Sequence, residues 1–375
     1  MRKYLLALFV ICLFAIPLQA AQNQGIGAYN VASVGCTASF AAFTPVTGAT
    51  ISTLYTSDTK TVTLSNCPNG AVISIAGNSG QYKINSGSYT ASAGTVQDQD
   101  TVTVQQTSSG SNSTLTTTTL TIASSNQGYN VTTVAAPTNY LNDANFFMAW
   151  NFENVLTDME GDSSPTGTFV IQSGGTMAYS TTGAELGTYS AALSTTKCLN
   201  IPYGNLQSTF PGRSGGAYTA LTVGAWIRVP TTGASAYILG YNATGTYYES
   251  WQLDINSGKV SLRLEDTNHV HEYTAIGSTT LSTNTNYFVA GTWDGTTMKV
   301  YYATTSCSLV NDGNTTQSLT PYTVTSGALY AGGVSSGATC YYGETMYIDM
   351  PFVFNRALSS TELTEICTHG INGSK

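Results

Sequence analysis

The feature that most constrains this chain is a period of two that starts, stops and starts again. Between Lys60 and Ala135 the runs "KTVTLSN", "AVISIAG", "DTVTVQQ", "TLTIAS" and "YNVTTVA" alternate apolar with polar residues. They recur about every ten residues, the spacing of short strands joined by turns. A strand sends successive side chains to opposite faces, so such runs demand sheets with one face buried. Thr fills most outward positions, where a β-branched side chain suits the pleated surface. Val62 and Leu64, Val72, Ile73 and Ile75, Val102 and Val104, Leu120 and Ile122 supply the expected inward positions. About seven such strands in residues 36–134 predict a small two-sheet sandwich.

The stretch "AAPTNYLNDAN", residues 135–145, lacks periodicity and reads as a linker. A second β-rich block, residues 146–375, carries "FFMAWNF", "LTVGAWIRV", "ESWQLDI", "KVSLRLE", "NYFVAGTWDGTTMKVYY", "ALYAGG" and "MYIDMPFVF". In the fifth of these, two alternating runs flank Asp294 and Gly295, a hairpin signal in which Asp satisfies local donors and Gly allows positive φ. The block is long enough for one large sandwich. Helix is expected only at "LSSTELTEICTHG", with Ser359 or Ser360 as cap, Glu362 in the first turn and Gly370 at the end.

The first 20 residues have the form of a secretory signal: Arg2 and Lys3, then an apolar run from Leu5 to Ile16, Pro17 and a small residue at Ala20. The run is too short to span a bilayer. Residues 21–35 follow as an N-terminal extension. Without residues 1–20 the chain loses two of its 12 basic residues and none of its 20 acidic ones, leaving a formal charge of −10. Nucleic acid and anionic membrane are poor partners for such a chain. Six cysteines remain, none in a C-x-x-C pair, so disulfides are expected rather than zinc. Cys36 with Cys67 is expected in the first block. Of the three connectivities open to the other four, Cys307–Cys340 with Cys198–Cys367 is favoured.

The second block resembles the concanavalin A-like jelly-roll families, specifically bacterial laminin G-like domains. The matching stretches, in the family's order, are "ELGTYSAALSTTKCLNIP", "LTVGAWIRV", "NYFVAGTWDGTTMKVYY" and "YIDMPFVFNRALSSTEL". The first block resembles an immunoglobulin-like module of secreted bacterial proteins through "FTPVTGATISTLYTSDTKTVT" and "GQYKINSGSYTASAGTVQDQDTVTVQQTSS". Pro351 departs from the family pattern. It cannot donate to a ladder, so its strand should lie at an edge or carry a bulge.

Several clusters compete as sites. Glucanases of this jelly-roll fold carry E-x-D-x-x-E on one strand. "ESWQLD", "LEDTNHVHE" and "ETMYID" all have other spacings, so no catalytic residues are assigned and no enzyme is expected. His269, His271 and Glu272 fall where a hairpin turn is expected, and the remaining histidine, His369, is far along the chain. Asp158, Glu160 and Asp162 alternate in a Gly/Ser/Pro-containing loop that suits Ca2+, an ion that laminin G-like domains often bind. On the outward faces, Trp226 and Arg228, Tyr248 and Gln252, with Asp254, and Arg263 combine stacking surface with hydrogen-bonding groups, as a glycan site requires.

Together these features predict an exported all-β protein, an immunoglobulin-like sandwich followed by a laminin G-like jelly roll. The expected function is binding of a glycan or a cell-surface protein without catalysis. A structural subunit that self-associates by strand addition through residues 21–35 is the alternative, and a glycoside hydrolase the second alternative.

Overall fold

The computed structural model describes residues 35–374 except 158, 160–167, 172–177, 217, 230–234, 244–248, 268–271, 337–338 and 342–343. The expected signal, nearly all of the N-terminal extension, the Asp158/Glu160/Asp162 calcium loop, Tyr248, His269 and His271 therefore lie outside the described residues. The chain is nearly all β and divides into two compact units between Ala135 and Ala136.

The first unit stacks two sheets. One has five strands in the order Val46–Ala49, Ser125–Thr133, Leu115–Ile122, Ala71–Ala76 and Gly94–Val96, and its first pair is parallel. The other places Leu54–Thr56, Lys60–Thr61 and Gln81–Ile84 against Thr101–Thr107. Val102 and Val104 meet Ile73, Leu120, Ile122 and Tyr129 in the core between them. Val72 does not join them. Ala71 and Ile73 take the inward positions of that strand, and strict alternation leaves Val72 outward at 66% exposure. The buried Gln106 links the sheets. Its amide donates to the carbonyls of Thr116 (3.3 Å) and Tyr129 (2.8 Å), and its oxygen accepts from Thr118 (2.8 Å) and Asn78 (3.3 Å). Cys36 and Cys67 are bonded.

In the second unit the main strands, in chain order, are β1 (Phe146–Ala149), β2 (Ser190–Leu193), β3 (Leu199–Pro202), β4 (Leu221–Arg228), β5 (Ala236–Ala243), β6 (Glu249–Asn256) and β7 (Lys259–Glu265). They continue with β8 (Glu272–Ile276), β9 (Asn286–Trp293), β10 (Thr297–Ala303), β11 (Val310–Thr316), β12 (Gly327–Ala331) and β13 (Met346–Phe354). Helix α1 (Ser360–His369) follows. An eight-stranded sheet runs Ala178–Ser180, β2, β13, β4, β9, β10, β11, with β1 also on β13. A seven-stranded sheet runs Val170–Ile171, β3, β12, β5, β6, β7, β8. Every pairing in both sheets is antiparallel. The alternating residues Leu221, Val223, Ala225 and Ile227 of β4 meet Trp251, Leu253 and Ile255 of β6 and Val260, Leu262 and Leu264 of β7 in the core. Gly291 on β9 is needed there, because a Cβ would stand 2.9 Å from Leu262. Trp293 is buried edge-on against Tyr218, and Asp294 accepts from Thr296 and Thr297 at the hairpin tip. Pro351 sits in a central strand, accommodated by a register shift against β4 in which Met350 takes φ 43°.

A second core covers the outer face of the eight-stranded sheet. Trp226, Phe288, Phe352 and Phe354 point away from the sandwich interior and are capped by Leu363, Ile366 and Cys367 of α1, with Tyr140. Ser359 and Glu362 form a reciprocal capping box at the start of α1. The expected linker is partly built into this cover. Tyr140 donates to Glu365 (2.8 Å), and Arg356 bridges Asp143 (2.6 Å) and Glu362 (2.7 Å).

The disulfides of this unit are Cys198–Cys340 and Cys307–Cys367, not the favoured Cys307–Cys340 and Cys198–Cys367. The reason is geometric. Cys367 lies outside the eight-stranded sheet, whereas Cys198 precedes β3 in the seven-stranded one. Stacked sheets are about 10 Å apart, beyond the reach of a disulfide. Each bond instead fastens a cover to its own sheet. Cys307 holds α1, and Cys198 holds a small hairpin, Val334–Ser336 with Thr339–Tyr341. That hairpin packs Val334 on Tyr237, Ala328 and Tyr330, on the outer face of the seven-stranded sheet.

Candidate functional site

The residues expected to form one glycan surface fall on two different sheets. Trp226 is fully buried beneath α1 and has no face to offer a ligand. Alternation correctly sends it away from the sandwich core, but a helix distant in sequence covers that side. Arg228, two residues on, sits at the end of β4 and donates to Asn286 (3.3 Å), also on the eight-stranded sheet. Gln252 and Arg263 lie on the other sheet as direct cross-strand partners on its outer face. Tyr248 lies outside the described residues.

Around Gln252 and Arg263 the seven-stranded sheet assembles a polar strip from β6, β7 and β8. The turn at Ser257–Gly258 fixes the register, pairing Gln252 with Arg263 and Asp254 with Ser261. Asp254 Oδ2 accepts from Arg263 Nη2 and from Gln252 Nε2, both at 2.7 Å. The other arm of the guanidinium reaches Glu272 at 3.3 Å. Glu265 pairs with Glu272 across β7 and β8 and accepts the backbone N–H of Glu249 at 2.8 Å. Two carboxyl groups, Asp254 and Glu272, thus contact one guanidinium, and Glu249 lies near enough to act on its charge. Next to them on β5, Tyr237 lies across Gly240, where a Cβ would meet its hydroxyl at 2.2 Å, and donates to Asn242 (2.5 Å).

Burial makes this strip electrostatically tense. It pushes the Glu249 carboxyl up to about 8, with Glu272, Asp254 and Glu265 adding to the rise against the pull of Arg263. The Asp254 carboxyl is raised as well, chiefly by burial. Burial works against the charge of Arg263, yet Asp254, Glu272 and Glu249 hold it above its ordinary value. Two buried polar atoms here have no hydrogen-bond partner, Glu249 Oε2 and Arg263 Nε, while the Ser261 hydroxyl lies against the Asp254 carboxyl. Buried polar groups in folded proteins are nearly always paired, so two unpaired ones on adjacent strands are unusual. Among the described residues no three His, Cys, Asp or Glu side chains converge as a metal site.

Sequence reasoning reached Gln252, Asp254 and Arg263 but missed Glu249, Glu265 and Ser261. Counting outward from the Ser257–Gly258 turn would have found Ser261. Glu249 escapes that count because β5 and β6 shift register beside it.

Residues 204–364 match the concanavalin A-like lectin/glucanases superfamily, Laminin_G_3. No curated protein matches the chain. Among solved structures, one similar to it is domain 4 of AbnA, a GH43 extracellular arabinanase from Geobacillus stearothermophilus, in complex with arabinotriose. The identity is 17% and the TM-score 0.43, over 59% of this chain and 98% of that one. Another is the receptor binding domain of botulinum neurotoxin mosaic serotype C/D, with 17% identity, a TM-score of 0.41, and 60% of this chain matched to 50% of that one. The binding domain of botulinum neurotoxin DC in complex with SialylT gives 13% identity and a TM-score of 0.42, over 60% of this chain and 52% of that one.

Proposed function

We propose that this is an exported protein whose second unit binds a carbohydrate on the outer face of β6, β7 and β8. The observation that carries this is the polar strip of Gln252, Asp254, Ser261 and Arg263 on that face, beside which Glu249 Oε2 and Arg263 Nε have no hydrogen-bond partner. One is an N–H donor and the other a carboxyl oxygen, a mixture that sugar hydroxyls satisfy because each hydroxyl both donates and accepts. The lectin/glucanase superfamily match of residues 204–364 and the three disulfides support the same reading. The test is a glycan array followed by calorimetry with the purified protein and its Gln252→Ala variant. A bound glycan whose affinity falls about tenfold in the variant is the expected result. An array without a hit, with and without Ca2+, would refute it.

Hydrolysis is a second reading, because burial pushes the Glu249 carboxyl up to about 8, the direction a glycosidase acid needs, with Glu265 and Glu272 nearby as further carboxyl groups. Release of reducing sugar that disappears in Glu249→Gln would establish it.

A further inference from the structure

We propose that the outer face of the eight-stranded sheet carries a second site, in which Arg228 receives the carboxylate of an acidic sugar. Four arginines belong to the second unit. Arg263 and Arg356 pair with carboxylates. Arg213 donates to the Leu206 carbonyl and stacks on the Tyr203 ring at 4.3 Å. Arg228 has only a neutral partner, since its Nη1 donates to Asn286 Oδ1 at 3.3 Å. A guanidinium offers five N–H groups. The Nε of Arg228 is buried without an acceptor, and among the described residues no carboxylate forms an ion pair with this side chain.

The register sets Arg228 in a rung that crosses five strands: Ala178, Ala192 on β2, Tyr347 on β13, Arg228 on β4 and Asn286 on β9. Residues two apart on a strand share a face, so Arg228 points to the same side as Trp226, and Asn286 to the same side as Phe288. The rung therefore lies on the outer face, one step beyond residues that α1 covers. Ala178 is exposed, and Ala192, Tyr347, Arg228 and Asn286 are partly exposed. The loop before β2 walls one side. Gly183 takes φ 81° there, and a Cβ on it would stand 2.7 Å from the Tyr347 Cβ and 3.5 Å from the Arg228 Cβ.

A carboxylate presents two coplanar oxygens that match the fork of a guanidinium, and its charge strengthens both bonds. Tyr347 on one neighbouring strand supplies a surface for a sugar ring. Asn286 on the other supplies an amide for a hydroxyl, and the two alanines beyond Tyr347 leave room for the ring. The acids facing this rung decide which anion fits. Glu185 accepts from Asn286 Nδ2, while Glu153 and Asp349 accept backbone N–H groups of the loop that contains Gly183. Repulsion from them grows with the charge of the ligand, so one carboxylate per sugar is tolerated better than a dianion such as phosphate or sulfate.

The experiment is calorimetry of the whole protein at about pH 7 and ~0.15 M salt, where charges more than about 8 Å away are largely screened. The probes are trigalacturonate, its methyl ester, inorganic sulfate and a peptide of Asp and Glu. Trigalacturonate is expected to bind about tenfold or more tightly than the ester, which keeps the rings and removes the charge. Arg228→Gln should bring acid and ester to equal affinity. Arg228→Lys, which keeps the charge and loses the fork, should lower the preference by about threefold. Tyr347→Ala should weaken acid and ester by a similar factor, and Lys259→Gln, which removes a charge from the other sheet, should change neither. Equal affinity for acid and ester in the parent overturns the proposal, as does no binding of trigalacturonate. A preference that survives Arg228→Gln, or that Lys259→Gln lowers as much, overturns it as well. Should the glutamine variant not fold, an undiminished preference in Arg228→Lys does the same. Sulfate or the peptide binding as tightly as trigalacturonate overturns the assignment to a sugar acid. The β6–β8 face is tested separately by Gln252→Ala, and a preference lost there but kept in Arg228→Gln places the acid on that face and overturns this site.

Discussion

Asp349 offers a perturbation whose size follows from the structure. It lies on β13, fully buried, with Oδ2 accepting the N–H groups of Glu185 and Leu186, both at 2.9 Å, and the Met350 N–H close to the same carboxyl. Burial raises its carboxyl from 3.8 to about 7, overriding those donors, and Glu153 adds to the rise. Ionising it in the folded state therefore costs about 4 kcal/mol more than in the unfolded chain. Between about pH 4 and pH 7 the folded state binds more protons than the unfolded one, so stability falls as pH rises through that window. Some of this loss is complete by pH 5, leaving about 3 kcal/mol between pH 5 and pH 8. Asp349→Asn keeps an acceptor for the two N–H groups and removes the titration. The variant is expected to lose about 1–3 kcal/mol at pH 5, where its amide lacks an acceptor, and to regain about 3 kcal/mol relative to the parent by pH 8. Urea unfolding followed by Trp fluorescence isolates the effect, because Trp150, Trp226, Trp251 and Trp293 all belong to the second unit. The relative midpoint should move by about 1 M. Glu249 titrates with the same sign up to about 8, but it is present in both proteins and cancels. Parallel pH profiles for variant and parent would refute the assignment of a titrating carboxyl to this position.

Three further perturbations separate structural from binding roles. Trp226→Ala should cost about 3–5 kcal/mol by opening a cavity beneath α1, yet leave sugar affinity within about twofold at low temperature; calorimetry below the melting range checks this. Gln106→Leu removes the amide that donates to the Thr116 and Tyr129 carbonyls and leaves Asn78 and Thr118 without that acceptor, and should cost about 2–4 kcal/mol, seen as faster hydrogen exchange along Leu115–Ile122. Replacing both Cys198 and Cys340 by Ser frees the hairpin over Tyr237 and Tyr330, with an expected loss of about 2–5 kcal/mol in the thermal transition of the second unit. An unchanged transition there would mean that the hairpin stays seated without its bond.

Most of the sandwich was legible because period two is a local property. The inward residues of β4, β6, β7 and β9 could be read off the chain, and so could the tip at Asp294 and the cap at Ser359. Alternation names the side a residue faces; it does not say what lies on that side. Trp226 shows the difference, since its cover comes from Leu363 and Ile366, far along the chain. The same blindness led to the expected cysteine pairing, which treated the four residues as interchangeable when they serve opposite faces of the sandwich. The corrected pairing also bears on where the proposed site lies. One cover, α1, is fastened by Cys307–Cys367 over the eight-stranded sheet, and the other, the hairpin after β12, by Cys198–Cys340 over one half of the seven-stranded sheet. Apolar residues line both covered faces. The remaining half, β6 to β8, carries Gln252, Asp254, Arg263, Glu265 and Glu272, a composition no apolar cover could tolerate. Among the described residues neither disulfide-fastened cover is built on this half of the sheet, in keeping with the proposal that it binds a polar ligand.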